Sequence, residues 1–255
     1  MIPTVEEIYR YLQTLAPLEL QMDFDNSGML IGHAENAVSR VLLALDITDK
    51  VVKEAVECDA QLIISHHPLI FHPIRNLTCG PETEKIYTII RSGISVICFH
   101  TNLDLAEGGV NDVLIHLLGA EPIEALDSDG CGRIGKYGEA WPFRRFLIMC
   151  KEKLQTNGLR YFDAGKDVRR FAVMGGSGGS AIRDAWKKGC DTYVTADLKY
   201  HEFLLAQELG LNLIDGDHFC TENPVMFLLQ TKLQEMFPEA EALISRRHCQ
   251  IVQFV

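Results

Sequence analysis

Short apolar runs alternate with amphipathic stretches along most of the chain. Each run is bounded by turn residues, a pattern typical of buried strands, and the stretches between runs carry apolar residues at helical spacing. The pattern predicts strands at 41–45, 61–64, 94–99, 171–174, 192–195 and 210–214, and helices at about 49–58, 82–91, 110–118, 143–155 and 181–188. Strands that alternate with helices indicate an α/β architecture with largely parallel sheets.

Local polar signals add a helix start and a domain boundary. Thr4 is predicted to cap the first helix, with Glu7 three residues later completing a capping box. Residues 120–140 are rich in Asp, Gly and Pro, which favours a boundary between two units. We therefore expect two lobes, at residues 1–126 and 127–255.

The two halves of the chain also contain a similar sequence pattern. The strand at 94–99 leads into His100 and Asp104, and the strand at 210–214 leads into His218 and Glu222. Both segments read His-x-x-x-carboxylate past a predicted strand end. The sequence therefore predicts two related α/β lobes, each of which presents a histidine and a carboxylate at the edge of its sheet, where sites of α/β proteins lie.

A histidine pair ends one of the predicted strands. The strand at 61–64 runs into His66 and His67, and Pro68 then prevents the ladder from continuing. Where the backbone turns, both rings can converge on one place, and neutral imidazole is the commonest metal ligand. For an isolated pair, the simpler interpretation is favoured, in which one histidine is hydrogen-bonded and the other is solvated.

Matching chemistry at three strand ends favours the metal site over that simpler interpretation. Histidine with Asp or Glu suits zinc, iron, manganese or nickel, and a carboxylate can bridge two ions. The candidate ligands share a position past a strand end: His66, His67, His100, Asp104, His218 and Glu222.

Two further segments leave alternatives open. The glycine-rich run at 175–180 lies between a predicted strand and helix, so its amides could hold a phosphate, or it could be only a tight turn. Lys199, Tyr200 and His201 follow another strand end. They could supply a cation or a proton donor, or simply begin a helix.

Composition narrows the class of protein. The chain has 255 residues, 47% hydrophobic and 23% charged, and its net charge of -11 argues against general nucleic-acid affinity. No apolar stretch is long enough to span a bilayer, and the N-terminus lacks the plan of a signal peptide. The eight cysteines form no Cys-x-x-Cys motif, which favours a reducing cytoplasm and disfavours a cysteine-based zinc site.

Several motifs together resemble one protein family, the GTP cyclohydrolase 1 type 2 homologs, also called NGG-interacting-factor-three-like proteins. The resemblance runs nearly end to end, in the short form without an inserted middle domain. Phe24 stands where that family often has Trp. The motifs that carry the resemblance are Asp25-Asn26-Ser27-Gly28, residues 64–71, His100-Thr101-Asn102-Leu103-Asp104, residues 108–112, Gly132-Arg133-Ile134-Gly135, and residues 175–178, 195–201 and 218–222.

The resemblance implies a dinuclear metal site between the two lobes and a ring-shaped homohexamer. It implies two divalent ions of uncertain identity, with His100 close to their ligands. Those ligands, as carried over to this chain, are His66, His67, Asp104, His218 and Glu222.

Two functions of different classes follow. The first is a metal-dependent hydrolase with a nucleotide or related substrate, in which His100 or His201 would shuttle protons. The second is a non-enzymatic metal-binding adaptor or chaperone that acts through protein contacts. A third possibility, DNA binding, is disfavoured by the acidic charge.

Overall fold

A computed structural model describes residues 1–78 and 80–255, arranged as a mixed α/β protein. Its helices are α1 (Val5–Leu15), α2 (Asp49–Glu57), α3 (Pro81–Arg91), α4 (Thr101–Leu105), α5 (Val110–Leu117), α6 (Phe143–Leu154), α7 (Ile182–Lys187), α8 (Tyr200–Leu209), α9 (His218–Glu222) and α10 (Pro224–Met236). Its strands are β1 (Gly28–Ile31), β2 (Arg40–Ala44), β3 (Leu62–Ser65), β4 (Ser95–Cys98), β5 (Pro122–Ala125), β6 (Arg133–Trp141), β7 (Arg160–Phe162), β8 (Val168–Ser177), β9 (Thr192–Ala196), β10 (Asn212–Asp215) and β11 (Glu241–Ile244).

The chain divides into two compact units. Unit 1 contains residues 1–107 and 225–249, and unit 2 contains residues 108–224 and 250–255. This division differs from the one expected at residue 126, for two reasons. That boundary would separate β5 from β6, its antiparallel partner. It would also remove β11 from unit 1, where β11 pairs in parallel with β2.

The unit 1 sheet has the strand order β1-β4-β3-β2-β11. Neighbouring strands from β4 to β11 run parallel, and β1 is antiparallel to β4 at one edge. The three central strands of this sheet consist of buried residues almost throughout, as parallel strands covered on both faces require.

The unit 2 sheet has the strand order β5-β6-β8-β9-β10-β7. Strands β8, β9 and β10 run parallel, and β7 is antiparallel to β10. Each unit therefore contains three parallel strands that lie side by side in chain order. An antiparallel strand from earlier in the chain pairs with the last of the three. The two related α/β lobes predicted from the sequence are confirmed, but the unit 2 sheet is mixed rather than largely parallel, because β6 is antiparallel to both β5 and β8.

Alternating residues of β8 fill two separate cores in unit 2. Phe171 and Val173 belong to one buried cluster, and Ala172 and Met174 belong to the other. Because successive side chains of a strand point to opposite faces, the two clusters lie on the two faces of the sheet. The run at 171–174 is apolar throughout because its side chains are buried on both faces of the sheet.

Helix caps agree closely with the sequence. The backbone N–H of Glu7 donates to Oγ1 of Thr4 over 3.3 Å, and the N–H of Thr4 donates to Oε2 of Glu7 over 2.8 Å. The capping box predicted at α1 is therefore confirmed. Oγ1 of Thr48 likewise accepts from the N–H of Val51 at the start of α2.

One apolar stretch proves to be internal. Residues 225–229 look exposed in the sequence, and on that basis they weakly suggest assembly into an oligomer. This expectation is wrong, because Val225, Met226 and Leu229 of α10 are buried. Phe227 alone among these apolar residues is largely exposed.

Two further properties concern the chain as a whole. Among the described residues, no helix combines the length and apolar character needed to cross a membrane. Cys79 lies outside the described residues, and the seven described cysteines carry free thiols.

Candidate metal centre

Strands β3 and β4 lie side by side and place three histidines together in unit 1. Ser65 at the end of β3 is in register with Cys98 at the end of β4, so the residues that follow emerge at the same edge. The ring centroids of His66 and His67 are 5.0 Å apart, and that of His100 lies 5.2 Å from His66 and 5.5 Å from His67. One ring nitrogen from each of the three lies within 4.8 Å of the others.

Asp104 joins this cluster by way of a short helix. α4 begins directly after His100, so Asp104 lies one helical turn further on. Its Oδ1 is 3.6 Å from Nε2 of His66, and the His66 side chain is fully buried. A buried imidazole beside a carboxylate offers both nitrogen and oxygen donors to a metal ion.

The Nδ1 atoms of these histidines are all directed at oxygen acceptors. Nδ1 of His66 lies 2.8 Å from the carbonyl oxygen of Phe99. Nδ1 of His67 lies 2.7 Å from Oδ1 of Asp46, and Nδ1 of His100 lies 2.7 Å from Oδ1 of Asp25. Carbonyl and carboxylate oxygens only accept, so each Nδ1 carries the proton. In the neutral ring Nε2 then bears the lone pair, as in histidines that bind metals.

Asp25 is the most heavily bonded of these acceptors. Its side chain is fully buried, and it accepts from the N–H groups of Asn26 and Thr101 as well as from His100. Burial raises the pKa of Asp25, but hydrogen bonds from His100 and Thr101 outweigh that effect and hold the pKa well below its usual range. Asp25 is therefore ionised, and its charge favours a protonated Nδ1 on His100.

Unit 2 presents a histidine and a glutamate on consecutive turns of α9. Asp217 caps this helix through the N–H of Cys220, which sets His218 at its first position. Nε2 of His218 is 3.0 Å from Oε2 of Glu222, whose side chain is nearly fully buried. Nδ1 of His218 lies 2.8 Å from Oδ2 of Asp197, which follows β9 directly. The pattern of an oxygen acceptor on Nδ1 thus recurs in this unit.

The electrostatic surroundings of His218 favour positive charge. Burial lowers the pKa of His218, but Glu222 and then Asp197 outweigh burial and raise that pKa to about 9. Two carboxylates that attract a proton to a partly buried ring attract a divalent cation for the same reason.

Two glycines at the end of β8 make room for Glu222. A Cβ on Gly176 would stand 2.1 Å from Oε1 of Glu222, and a Cβ on Gly175 would stand 2.8 Å from Cγ1 of Val110. Gly176 also has φ of +63°, a conformation that L side chains rarely adopt. These glycines therefore allow the close approach of α9.

The same two glycines begin the glycine-rich segment at 175–180, for which the sequence leaves open either phosphate binding or a tight turn. The N–H of Gly175 donates to Oδ1 of Asn111 over 2.9 Å, and that of Gly176 donates to Oγ1 of Thr221 over 3.1 Å. Since both amides already have protein acceptors, the observed geometry favours the tight-turn interpretation of this segment.

Comparison with known proteins identifies the family. The family model of Duf34/NIF3 (NGG1p interacting factor 3) matches residues 3–249. The chain belongs to the Duf34/NIF3 family. A GTP cyclohydrolase 1 type 2 homolog of Clostridium perfringens is 32% identical, over 98% of this chain and 99% of that protein.

Solved structures of relatives share the fold of this family member. A Bacillus cereus protein related to NIF3 superposes with a TM-score of 0.90 at 26% identity, covering 100% of this chain and 99% of the other. Reduced HcgD from Methanocaldococcus jannaschii superposes with a TM-score of 0.86 at 29% identity, covering 96% and 98% respectively. The resemblance seen in the sequence is therefore confirmed.

The structure sorts the residues predicted for the Duf34/NIF3 site into two groups. In unit 1 it brings together His66, His67, His100 and Asp104, and in unit 2 it brings together His218 and Glu222. His201 lies on the first turn of α8, where it is exposed.

Three aspartates that orient the histidines were not singled out as site residues. Asp25, Asp46 and Asp197 each accept from a histidine Nδ1. Two of them could have been found from the sequence, because Asp46 and Asp197 closely follow the strands β2 and β9. Asp25 lies in a loop whose polar residues are typical of a turn, and the signal that could have found it is its place in a motif of the family resemblance.

Proposed function

We propose that this Duf34/NIF3 protein is a metal-dependent hydrolase that binds two divalent ions. The observation that carries the proposal is the shared orientation of four histidines, each with Nδ1 held by a carbonyl or carboxylate oxygen. The proposed ligands are those expected from the family resemblance: His66, His67, Asp104, His218 and Glu222.

The donor set fits such ions. Imidazole nitrogen and carboxylate oxygen suit zinc, iron, manganese or nickel, all of which remain candidates. Asp104 and Glu222 would supply the oxygen donors of the proposed set, and His66, His67 and His218 would supply the nitrogen donors.

When bound, the ions would lower the pKa of a water molecule and polarise the atom that it attacks. The protein groups have separate tasks. His100, with Nδ1 bonded to Asp25, is placed to accept a proton at Nε2, because the ionised carboxylate stabilises the imidazolium that results. His201, on the exposed first turn of α8, is the second candidate proton carrier.

The proposed substrate is a nucleotide. The relatives' name, GTP cyclohydrolase 1 type 2 homolog, supports this class. In the ring opening of GTP, water attacks C8 of the guanine. The alternative function is a metal-binding adaptor or chaperone, which would retain the ions without any turnover.

A combined metal and turnover assay separates the two functions. The purified protein is analysed for bound metals, loaded with each of the four candidates, and incubated with a panel of nucleotides. Turnover that is lost in Asp104→Asn supports the hydrolase. Asp184→Asn is the control, since the Asp184 side chain forms an exposed ion pair with Lys187 on α7. Full metal occupancy without turnover of any nucleotide would favour the adaptor.

Assembly and location complete the proposal. The chain is proposed to form a homohexamer, and exposed apolar residues such as Tyr200 and Leu204, four positions apart on α8, support association. Free thiols throughout the described chain support a reducing cytoplasm. Light scattering at micromolar concentration tests the assembly, and a monomeric mass would refute it.

A further inference from the structure

A pair of exposed phenylalanines borders the histidine cluster of unit 1. Phe24 is 65% exposed and Phe71 is 36% exposed. Their ring centroids are 6.4 Å apart, with the planes tilted by 57°. Phe71 also packs edge-on against His100, with 6.1 Å between the ring centroids. The exposed aromatic surface is thus continuous with the histidine cluster.

The loops that carry the two rings are the loops that build the cluster. Phe24 immediately precedes Asp25, whose carboxylate holds His100. Phe71 lies in the segment that begins at His66 and His67. The two loops are joined directly, because Nδ2 of Asn26 donates to the carbonyl oxygen of Ile70 over 2.6 Å. The loops that carry both rings are therefore held next to each other beside the histidines.

The loop beneath Phe24 is also held internally. The N–H of Asp25 donates to the carbonyl oxygen of Met22 over 2.9 Å, and the N–H of Ser27 donates to Oε1 of Gln21 over 3.1 Å. A binding surface whose backbone is already ordered loses little conformational entropy when a ligand arrives. An exposed aromatic ring on such a loop is suited to binding.

We propose that Phe24 and Phe71 form a stacking platform for the planar heteroaromatic ring of the substrate, a nucleobase. This inference rests on the proposed hydrolase and assigns the side chains that hold the base of its substrate. Every base has a π-face, so aromatic side chains stack on it without requiring particular hydrogen bonds. Because Phe71 contacts His100, a ring on the platform lies beside the histidine cluster.

The size of the surface favours a single ring over a second copy of the chain. A phenylalanine side chain has an accessible area of roughly 200 Å², so the exposed parts of the two rings total on the order of 200 Å². A stable protein interface needs about 800 Å² from each partner. Because the ring planes are tilted by 57°, a bicyclic heterocycle stacked on one ring would meet the other ring with its edge.

The test compares two probes that differ only in the base. The full-length protein is titrated by calorimetry with GMP and with ribose 5-phosphate. We expect GMP to bind at least about tenfold more tightly. Phe24→Ala and Phe71→Ala should each weaken GMP binding by about five- to a hundredfold and leave ribose 5-phosphate binding unchanged. Phe24→Trp should retain the affinity, because indole stacks at least as well.

Phe227→Ala is the matched control, since Phe227 is 55% exposed on α10 in the same unit. Equal affinity for the two probes, or unaltered GMP binding in Phe24→Ala, would overturn the platform. A lower particle mass in Phe24→Ala with unaltered GMP binding would likewise overturn it and assign these rings to an interface between copies.

The outcomes also separate this inference from the hydrolase on which it rests. Binding that depends on the base and on Phe24, without turnover of any nucleotide, refutes the hydrolase and keeps the platform. Nucleotide turnover that is unaffected by both alanine substitutions, with no preference for GMP over ribose 5-phosphate, refutes the platform and keeps the hydrolase.

Discussion

Asp25 and His100, 75 positions apart in the chain, are joined by a 2.7 Å hydrogen bond from Nδ1 to Oδ1. His218 makes the equivalent bond to Asp197 over 2.8 Å in the other unit. An aspartate behind a histidine fixes both the ring orientation and the proton position. The aspartates therefore position the histidines of the candidate site, although we assign none of the aspartates as a metal ligand.

The Asp25→Asn substitution tests this role. The variant keeps the size of the side chain but removes its charge, and it leaves several buried donors with a weaker acceptor. We expect the free energy of unfolding to fall by about 1–3 kcal/mol and metal content to decrease. Urea denaturation and elemental analysis measure the two effects. Asp23→Asn, in the same loop but exposed, should change neither. Wild-type metal content in Asp25→Asn would contradict the positioning role.

Glu222→Gln tests the ligand proposed in unit 2. The amide is nearly isosteric with the buried carboxylate but is a much poorer ligand for a divalent ion. We expect the variant to lose at least one ion while its circular dichroism spectrum stays unchanged. Glu208→Gln, at an exposed position of α8, serves as the control. If elemental analysis found full occupancy in Glu222→Gln, Glu222 would not be a ligand.

Gly176→Ala tests whether the glycine makes room for the carboxylate. The added Cβ would collide with Oε1 of Glu222, so we expect reduced metal content in addition to a backbone cost of about 1–3 kcal/mol. Gly189→Ala is a matched control. Gly189 has a similar φ of +72° but nothing within 4 Å of the added atom. Comparable metal loss in both variants, measured on folded protein, would rule out the steric explanation.

The free energy of unfolding at alkaline pH should depend on the burial of the Cys190 thiol. Burial raises the pKa of this thiol to about 12, from an ordinary value of 9.0. The unfolded chain therefore releases a proton that the folded chain retains, so the stabilisation is complete below pH 9 and is lost as pH rises from 9 towards 12. Between pH 9 and 10.5 Cys190 should account for about 2 kcal/mol of the decrease in stability.

Cys190→Ala should therefore weaken the dependence of unfolding free energy on pH in this range, measured by urea titration under reducing conditions. Cys249→Ala should not, because Cys249 is exposed. Identical pH slopes for wild type and Cys190→Ala would show that the buried thiol does not carry this linkage.

The sequence predicts the parallel core of each unit well because burial on both faces produces continuous apolar runs. It predicts the histidine cluster because the ends of neighbouring parallel strands meet at one edge, which places His66 near His100. The sequence predicts a domain boundary where strand β6 lies, since the glycines and alternating charges of β6 resemble a loop. Its identity depends on pairing with β8, which no local pattern reveals.

The assignment of β11 to unit 1 is a second feature that local reasoning misses. Its partner β2 lies about two hundred positions earlier in the chain. Likewise, the link from Asp25 to His100 depends on how a loop folds back over a strand end. In both cases the decisive contact is long-range, and the residues involved carry no distinctive local signal.

The return of the chain to unit 1 through β11 has a consequence for synthesis on the ribosome. Until residues 241–244 emerge, β2 remains an open strand edge, exposed while the whole of the intervening unit is being made. Unit 2 is nearly continuous in the chain, so it can fold before the last strand of unit 1 has been made. The sheet whose strands are made first is therefore the sheet that is completed last.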